Sequence, residues 1–76
     1  MRTRMTERLD LRGVRCPLNW ARARVRLESM PRGAVLELIL DDPKGARDIP
    51  RAAESCGYAV LEVEPDASVW RLLIQA

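Results

Sequence analysis

The stretch that most constrains the fold is Ala34-Val35-Leu36-Glu37-Leu38-Ile39-Leu40, seven residues with a single charge among them. It reads as a strand, and Glu37 fixes its register: with Glu37 facing water, Leu36, Leu38 and Leu40 face the core. A strand this apolar belongs at the centre of a sheet.

The segments on either side have to pack on that strand. Upstream, Leu9-Asp10-Leu11-Arg12 alternates apolar and polar as a short half-buried strand does, and Gly13 turns the chain out of it. A helix then runs from Pro17 to about Met30, stopped by Pro31 and Gly33. Trp20, Ala23, Leu27 and Met30 share one face of it, while Arg22, Arg26 and Ser29 lie away from that face. A thinner apolar line, Leu18, Ala21 and Val25, is either additional core, the favoured reading because a small domain needs the area, or a contact surface next to the thiol.

Downstream, Asp41-Asp42-Pro43-Lys44-Gly45 is a loop whose acids suit the start of a helix. Ile49, Ala52, Ala53 and Cys56 follow at helical spacing, with Gly57 as the stop. Pro50 is assigned to the first turn of that helix, or to an irregular turn at its start, and Cys56 to packing. Tyr58 to Glu64 and Val69 to Gln75 alternate as strands around a Pro65-Asp66-Ala67-Ser68 connection. In the first of these Leu61 and Val63 oppose Glu62 and Glu64; in the second Trp70, Leu72 and Ile74 oppose Arg71.

The order βαβαββ implies parallel crossovers followed by an antiparallel hairpin. The expected fold is therefore an α/β two-layer sandwich: a four-stranded mixed sheet with two helices on one face. Residues 9–76 form this single domain and residues 1–8 a polar, basic segment, either a loose tail or a fraying start to the first strand. The other sheet face would carry Val35, Ile39, Val69 and Leu73 among charges.

Composition excludes several functions. Two cysteines are too few for a disulfide framework, no apolar stretch reaches the length of a signal peptide or membrane span, and a reducing cytoplasm is the expected compartment. With no histidine in the chain and no third ligand in view, the Asp41-Asp42 pair is assigned to capping, not to metal or acid–base work. Charge is uneven: residues 1–32 hold nine arginines and three acids, whereas residues 33–76 hold four basic residues and eight acids. The basic half could draw an acidic partner surface or RNA, or be a solvated helix face. Nucleic-acid binders interleave aromatic with basic residues, and this chain does not.

The chemistry-bearing stretch is Val14-Arg15-Cys16-Pro17-Leu18-Asn19. Pro17 suits the first turn of a helix, which puts Cys16 at the N-cap, where free N–H groups and the helix dipole favour a thiolate. Arg12 and Arg15 add positive potential if they point toward the sulfur. From spacing alone two readings stand, an activated nucleophile or a small packed thiol.

Three separated matches give the chain a resemblance to the TusA family, the SirA-like sulfur carriers. They are Leu-Asp-Leu-Arg-Gly-Val-Arg-Cys-Pro at 9–17, Pro-Arg-Gly at 31–33, and Asp-Asp-Pro at 41–43 with Arg-Asp-Ile-Pro at 47–50; the likeness spans about Leu9 to Ile74. It implies that Cys16 accepts sulfane sulfur from a donor protein, a cysteine desulfurase or rhodanese, and holds it as a persulfide for a downstream acceptor protein. The fates of that sulfur include tRNA thiolation, molybdenum-cofactor maturation and sulfur oxidation. The chemistry requires neither metal nor organic cofactor, and the chain is expected to be a monomer with no membrane or direct nucleic-acid contact. Pro17 would preset the helix start, Arg12 and Arg15 favour the thiolate, and Leu18 and Arg22 lie on the partner surface. One departure stands out. The family pattern is Cys-Pro-x-Pro, and Asn19 occupies the second proline position, restoring an N–H that either donates to Cys16 and lowers the thiol pKa further or loosens the turn. Two other functions fit less well: a non-catalytic regulatory or RNA-binding module using the basic half, and thiol–disulfide exchange, for which the Cys-x-x-Cys pair is missing.

Overall fold

Every segment with a period of two becomes a strand, and all the strands join one sheet. The computed structural model describes residues 6–76. Strands β1 (Thr6–Asp10), β2 (Val35–Leu40), β3 (Ala59–Asp66) and β4 (Val69–Gln75) lie in the order β1-β2-β4-β3. The β1–β2 pair is parallel; β2–β4 and β4–β3 are antiparallel. Helices α1 (Leu18–Ser29) and α2 (Pro43–Ser55) form the crossovers and bury Ala23, Leu27, Ile49 and Ala53 in one core with the sheet. This is the mixed two-layer sandwich that the sequence predicts, with β2 in its interior. Among the described residues no helix is long and apolar enough to cross a membrane.

Alternation on β2 does most to define the core. Leu36, Leu38 and Leu40 are wholly buried, as are Leu72 and Ile74 beside them on β4. Each such side chain contributes about 1.5–3 kcal/mol relative to exposure. Glu37 points to the opposite face, where charge crosses the whole sheet. Arg8 on β1 meets its cross-strand neighbour Glu37 at 3.0 Å, Arg71 on β4 meets Glu37 at 3.3 Å, and Arg71 reaches Glu64 at 2.6 Å and Glu62 at 3.3 Å on β3. The Arg8 and Arg71 guanidiniums hold Glu37 below the usual carboxylate range against the cost of its burial. Of the apolar residues expected on this face, Val35 is buried and Ile39, Val69 and Leu73 are half-buried.

Several expectations are corrected. The first strand runs from Thr6 to Asp10 and not from Leu9 to Arg12, so Thr6 to Arg8 are its start and not a tail; residues 1–5 lie outside the described residues. Helix α2 starts six residues before Ile49, because Asp42 caps it and Pro43 opens its first turn, so Pro50 falls in the helix interior. There it leaves the Ala46 carbonyl without its usual i+4 donor. Cys56 is not packed: it is the C-cap residue, its N–H bonded to the Ala52 and Ala53 carbonyls, and its side chain is exposed. The line Leu18, Ala21 and Val25 is not core either. Leu18 is 53% and Val25 67% exposed, because only the Ala23–Leu27 side of α1 meets the sheet. On β3 a register shift between Val60 and Glu62 pairs Val60 with the buried Ile74 and leaves Leu61 at the irregularity, exposed; Val63 pairs with Leu72, opposite in face to Glu62 and Glu64 as expected, yet is exposed on this edge strand.

Replacing Leu38 by Ala should therefore lower stability in urea unfolding by about 2–5 kcal/mol. By contrast Val25→Ala, on the uncovered line, should stay within about 0.5 kcal/mol of wild type.

Candidate functional site

The parallel pairing of β1 with β2 decides where the site lies. Their register runs through Asp10 opposite Ile39, and the Leu11 N–H continues it by donating to the Ile39 carbonyl at 2.8 Å. Both strands thus end together, and the loops that follow, 12–17 and 41–42, leave the sheet side by side. Each acid of the second loop takes a backbone donor of the first. Gly13, in the left-handed region at φ 82, donates its N–H to both carboxylate oxygens of Asp41, at 2.9 and 3.1 Å. Cys16 donates its N–H to Asp42 Oδ2 at 2.8 Å.

Asp42 also accepts the Lys44 N–H on Oδ1 at 3.1 Å as the N-cap of α2. One carboxylate therefore fixes both the Cys16 main chain and the start of α2. The Cys16 N–H is the largest cause holding Asp42 below the usual carboxylate range; the Lys44 and Gly45 N–H groups add to it, and partial desolvation opposes it.

The thiol is half-buried and free. It is not at a helix N-cap as expected. Pro17 is the N-cap of α1, joined to Cys16 by a cis peptide bond, and the helix begins at Leu18. The first-turn Trp20 N–H is taken by the Asn19 side chain at 2.7 Å, so the sulfur has no capping role to play. The Asn19 N–H goes to the Arg15 carbonyl at 3.1 Å, not to Cys16.

The expected cations are arranged differently too. Arg12 grips Asp10 through Nε at 3.0 and 3.2 Å and through Nη2 at 2.7 Å, holding that carboxyl down to about 2, so its charge is engaged beside the strand and not at the sulfur. Arg15 is exposed, makes no ion pair among the described residues, and shares a shallow cleft with Gly13, Asp41, Asp42 and Pro43. A cation that sequence reasoning missed is Arg47 on α2. Its pKa is raised chiefly by the hydrogen bond to Asp48, and Cys16 is among the charges that add to the shift. The signal for it lies in Arg-Asp-Ile-Pro at 47–50, one of the three stretches that carry the family resemblance.

Beside the thiol runs the uncovered line of α1. Pro17, Leu18, Ala21 and Val25 form an apolar ridge, with Trp20, Arg24 and Glu28 along one flank and Leu9, Arg22 and Arg26 along the other. Leu18 and Arg22, predicted on a partner surface, are both exposed on this helix. A half-buried cysteine one residue before an open apolar ridge suits exchange with another macromolecule better than enclosure of a small substrate.

Comparison with known proteins points the same way. A family model described as Sulfurtransferase TusA matches residues 7–76. A protein of Archaeoglobus fulgidus named as a sulfur carrier is 39% identical over 70 residues, covering 91% of this chain and 80% of that one. YedF of Escherichia coli, also named as a sulfur carrier, is 39% identical over 71 residues, covering 90% of this chain and 88% of its own length. The crystal structure of a SirA-like protein from Desulfitobacterium hafniense superposes with a TM-score of 0.78 at 28% identity, over 92% of this chain and 96% of that one.

The lowered Asp42 pKa has a definite sign in stability. A carboxylate with a depressed folded-state value stabilises the fold above its ordinary value of 3.8, and that contribution is lost as pH falls through the folded value. Asp42→Asn should be less stable than wild type near neutral pH, and thermal unfolding from neutral into acid should show the two curves converging as Asp42 becomes protonated.

Proposed function

The chain belongs to the TusA family of sulfur carriers, and from that membership we propose that it is a cytoplasmic sulfurtransferase of the carrier type, with Cys16 as the residue that bears the sulfur. The reaction is a thiol exchange. The Cys16 thiolate attacks the outer sulfur of a donor persulfide, the donor S–S bond breaks, and the donor cysteine leaves as thiolate. Cys16 then holds a persulfide with no net change in oxidation. In the second half-reaction an acceptor nucleophile attacks that outer sulfur and Cys16 leaves as thiolate. Atoms and electrons balance without metal or organic cofactor.

The observation that carries this reading is the half-buried, free Cys16, whose main chain is tied to Asp42 beside the open ridge of α1. A carrier must meet two proteins at the same sulfur, so its thiol cannot sit in a deep pocket. The proposed donor is a cysteine desulfurase or a rhodanese-like protein, and the acceptor a protein that passes sulfur to tRNA thiolation or another sulfur-using process. Leu18 offers apolar area next to the thiol. Arg22 and Arg15 give the same side a positive charge that suits an acidic rim on the partner. Pro17 sets where α1 starts.

Incubation with a cysteine desulfurase, its cofactor and cysteine should add the mass of one sulfur atom to the wild type and to Cys56→Ser, and none to Cys16→Ser. Sulfur uptake by Cys16→Ser would falsify the assignment. Leu18→Glu and Arg22→Glu should slow loading from the protein donor while leaving loading from a low-molecular-weight polysulfide unchanged. Equal slowing with both donors would remove these residues from the partner surface.

A further inference from the structure

We propose that Asn19 is a positioning residue for Cys16, acting through Asp42, and that position 45 is glycine because any larger residue would displace the Asn19 amide. The functional part of this inference rests on Cys16 being the sulfur-bearing residue.

Asn19 is the sole fully buried polar side chain among the described residues, and a buried amide is tolerated only when its polar atoms are paired. Each of them is. Oδ1 accepts the Trp20 N–H at 2.7 Å, capping the first turn of α1 in place of Pro17, whose side chain has no acceptor to offer. Nδ2 reaches the Val14 carbonyl and Asp42 Oδ2, both at 3.4 Å. These two acceptors belong to the Cys16 loop and to its anchor. Val14 lies two residues before Cys16, and Asp42 Oδ2 is the same oxygen that holds the Cys16 N–H at 2.8 Å. One amide thus grips the loop on its upstream side and the acceptor that fixes its centre.

Gly45 supplies the second, independent observation. It lies within α2, and its backbone is not in the left-handed region that demands glycine, so local conformation does not explain it. Space does. A Cβ there would overlap Asn19 Nδ2 and come within 3.3 Å of Asn19 Cγ, with Ile49 Cδ1 at 3.6 Å closing the other side. Asn19 and Gly45 are therefore one device divided between two helices. Thiol exchange needs the attacking sulfur in line with the bond it breaks, so a loop free to drift would lose rate without losing partner affinity.

The test combines two readouts on Asn19→Ala, Gly45→Ala and the double variant, with circular dichroism confirming the fold. Hydrogen exchange of the Cys16 amide, measured by NMR with no sulfur donor present, should quicken about tenfold in each single variant, the scale of one lost hydrogen bond, while the Leu38 amide is unchanged. The double variant should be no faster than either single one, because both break the same contact. Loading by a desulfurase should lose kcat by about the same factor with the donor KM unchanged. Unchanged Cys16 exchange, equal acceleration at Leu38, or additive effects in the double variant would each overturn the proposal. Exchange that behaves as expected in a protein that never takes up sulfur at Cys16 would uphold the link to the loop and overturn the carrier reading instead.

Discussion

The rest of the structure depends on the Asp42 carboxylate. Two βα connections meet at one end of the sheet because β1 and β2 are parallel and end in register, and a crossover topology of this kind always brings such loops together. What differs between proteins is how the meeting is secured. Here Asp42 stands between Cys16 on one loop and the first turn of α2 on the other, accepting N–H groups from both. Asp41, one residue earlier, accepts the Gly13 N–H and so holds the first loop alone. The acids that look in sequence like a plain helix start are therefore also the seat of the thiol loop.

The opposite face of the sheet is organised by charge. Arg8, Glu37, Arg71, Glu62 and Glu64 link four strands edge to edge. Single surface pairs are worth little, but Arg71 shared among three carboxylates lays a continuous charged band over the half-buried Ile39, Val69 and Leu73. That band leaves no broad apolar patch for a partner. The ridge from Pro17 to Val25 has no such cover, and it begins one residue after the thiol.

Much of the fold was legible in the sequence because it follows from periodicity. The run at 34–40 and its single charge were enough to place β2 in the sheet interior, and the Trp20-Ala23-Leu27-Met30 spacing was enough to give α1 its buried face. What was missed depends on distances that periodicity does not encode. Leu18, Ala21 and Val25 look like core until the width of the sheet is known, and Cys56 looks like core until α2 is seen to end on it. Pro50 resembled a helix start because a proline seldom lies in a helix interior; the stronger signal, an aspartate followed by proline at 42–43, sat seven residues earlier and was read as loop. Of the site, the exposure of Arg22 could be anticipated from the helix period, whereas that of Leu18 was suggested only by the family resemblance and ran against its reading as core. The engagement of Arg12 by Asp10 could not be anticipated, since adjacency in sequence says nothing of which neighbour a long side chain chooses.

The charges around Cys16 bear on what a carrier requires. Sequence suggested a sulfur surrounded by positive potential, which would stabilise the thiolate and, by the same measure, weaken its nucleophilicity. The structure places a carboxylate on the Cys16 N–H and a guanidinium, Arg47, within Coulombic reach from the adjacent helix. Charge of each sign thus lies near Cys16, the negative one fixed on its main chain and the positive one carried by a side chain of α2, so the positive ring that the sequence suggested is replaced by an anchor on the backbone and a single nearby cation.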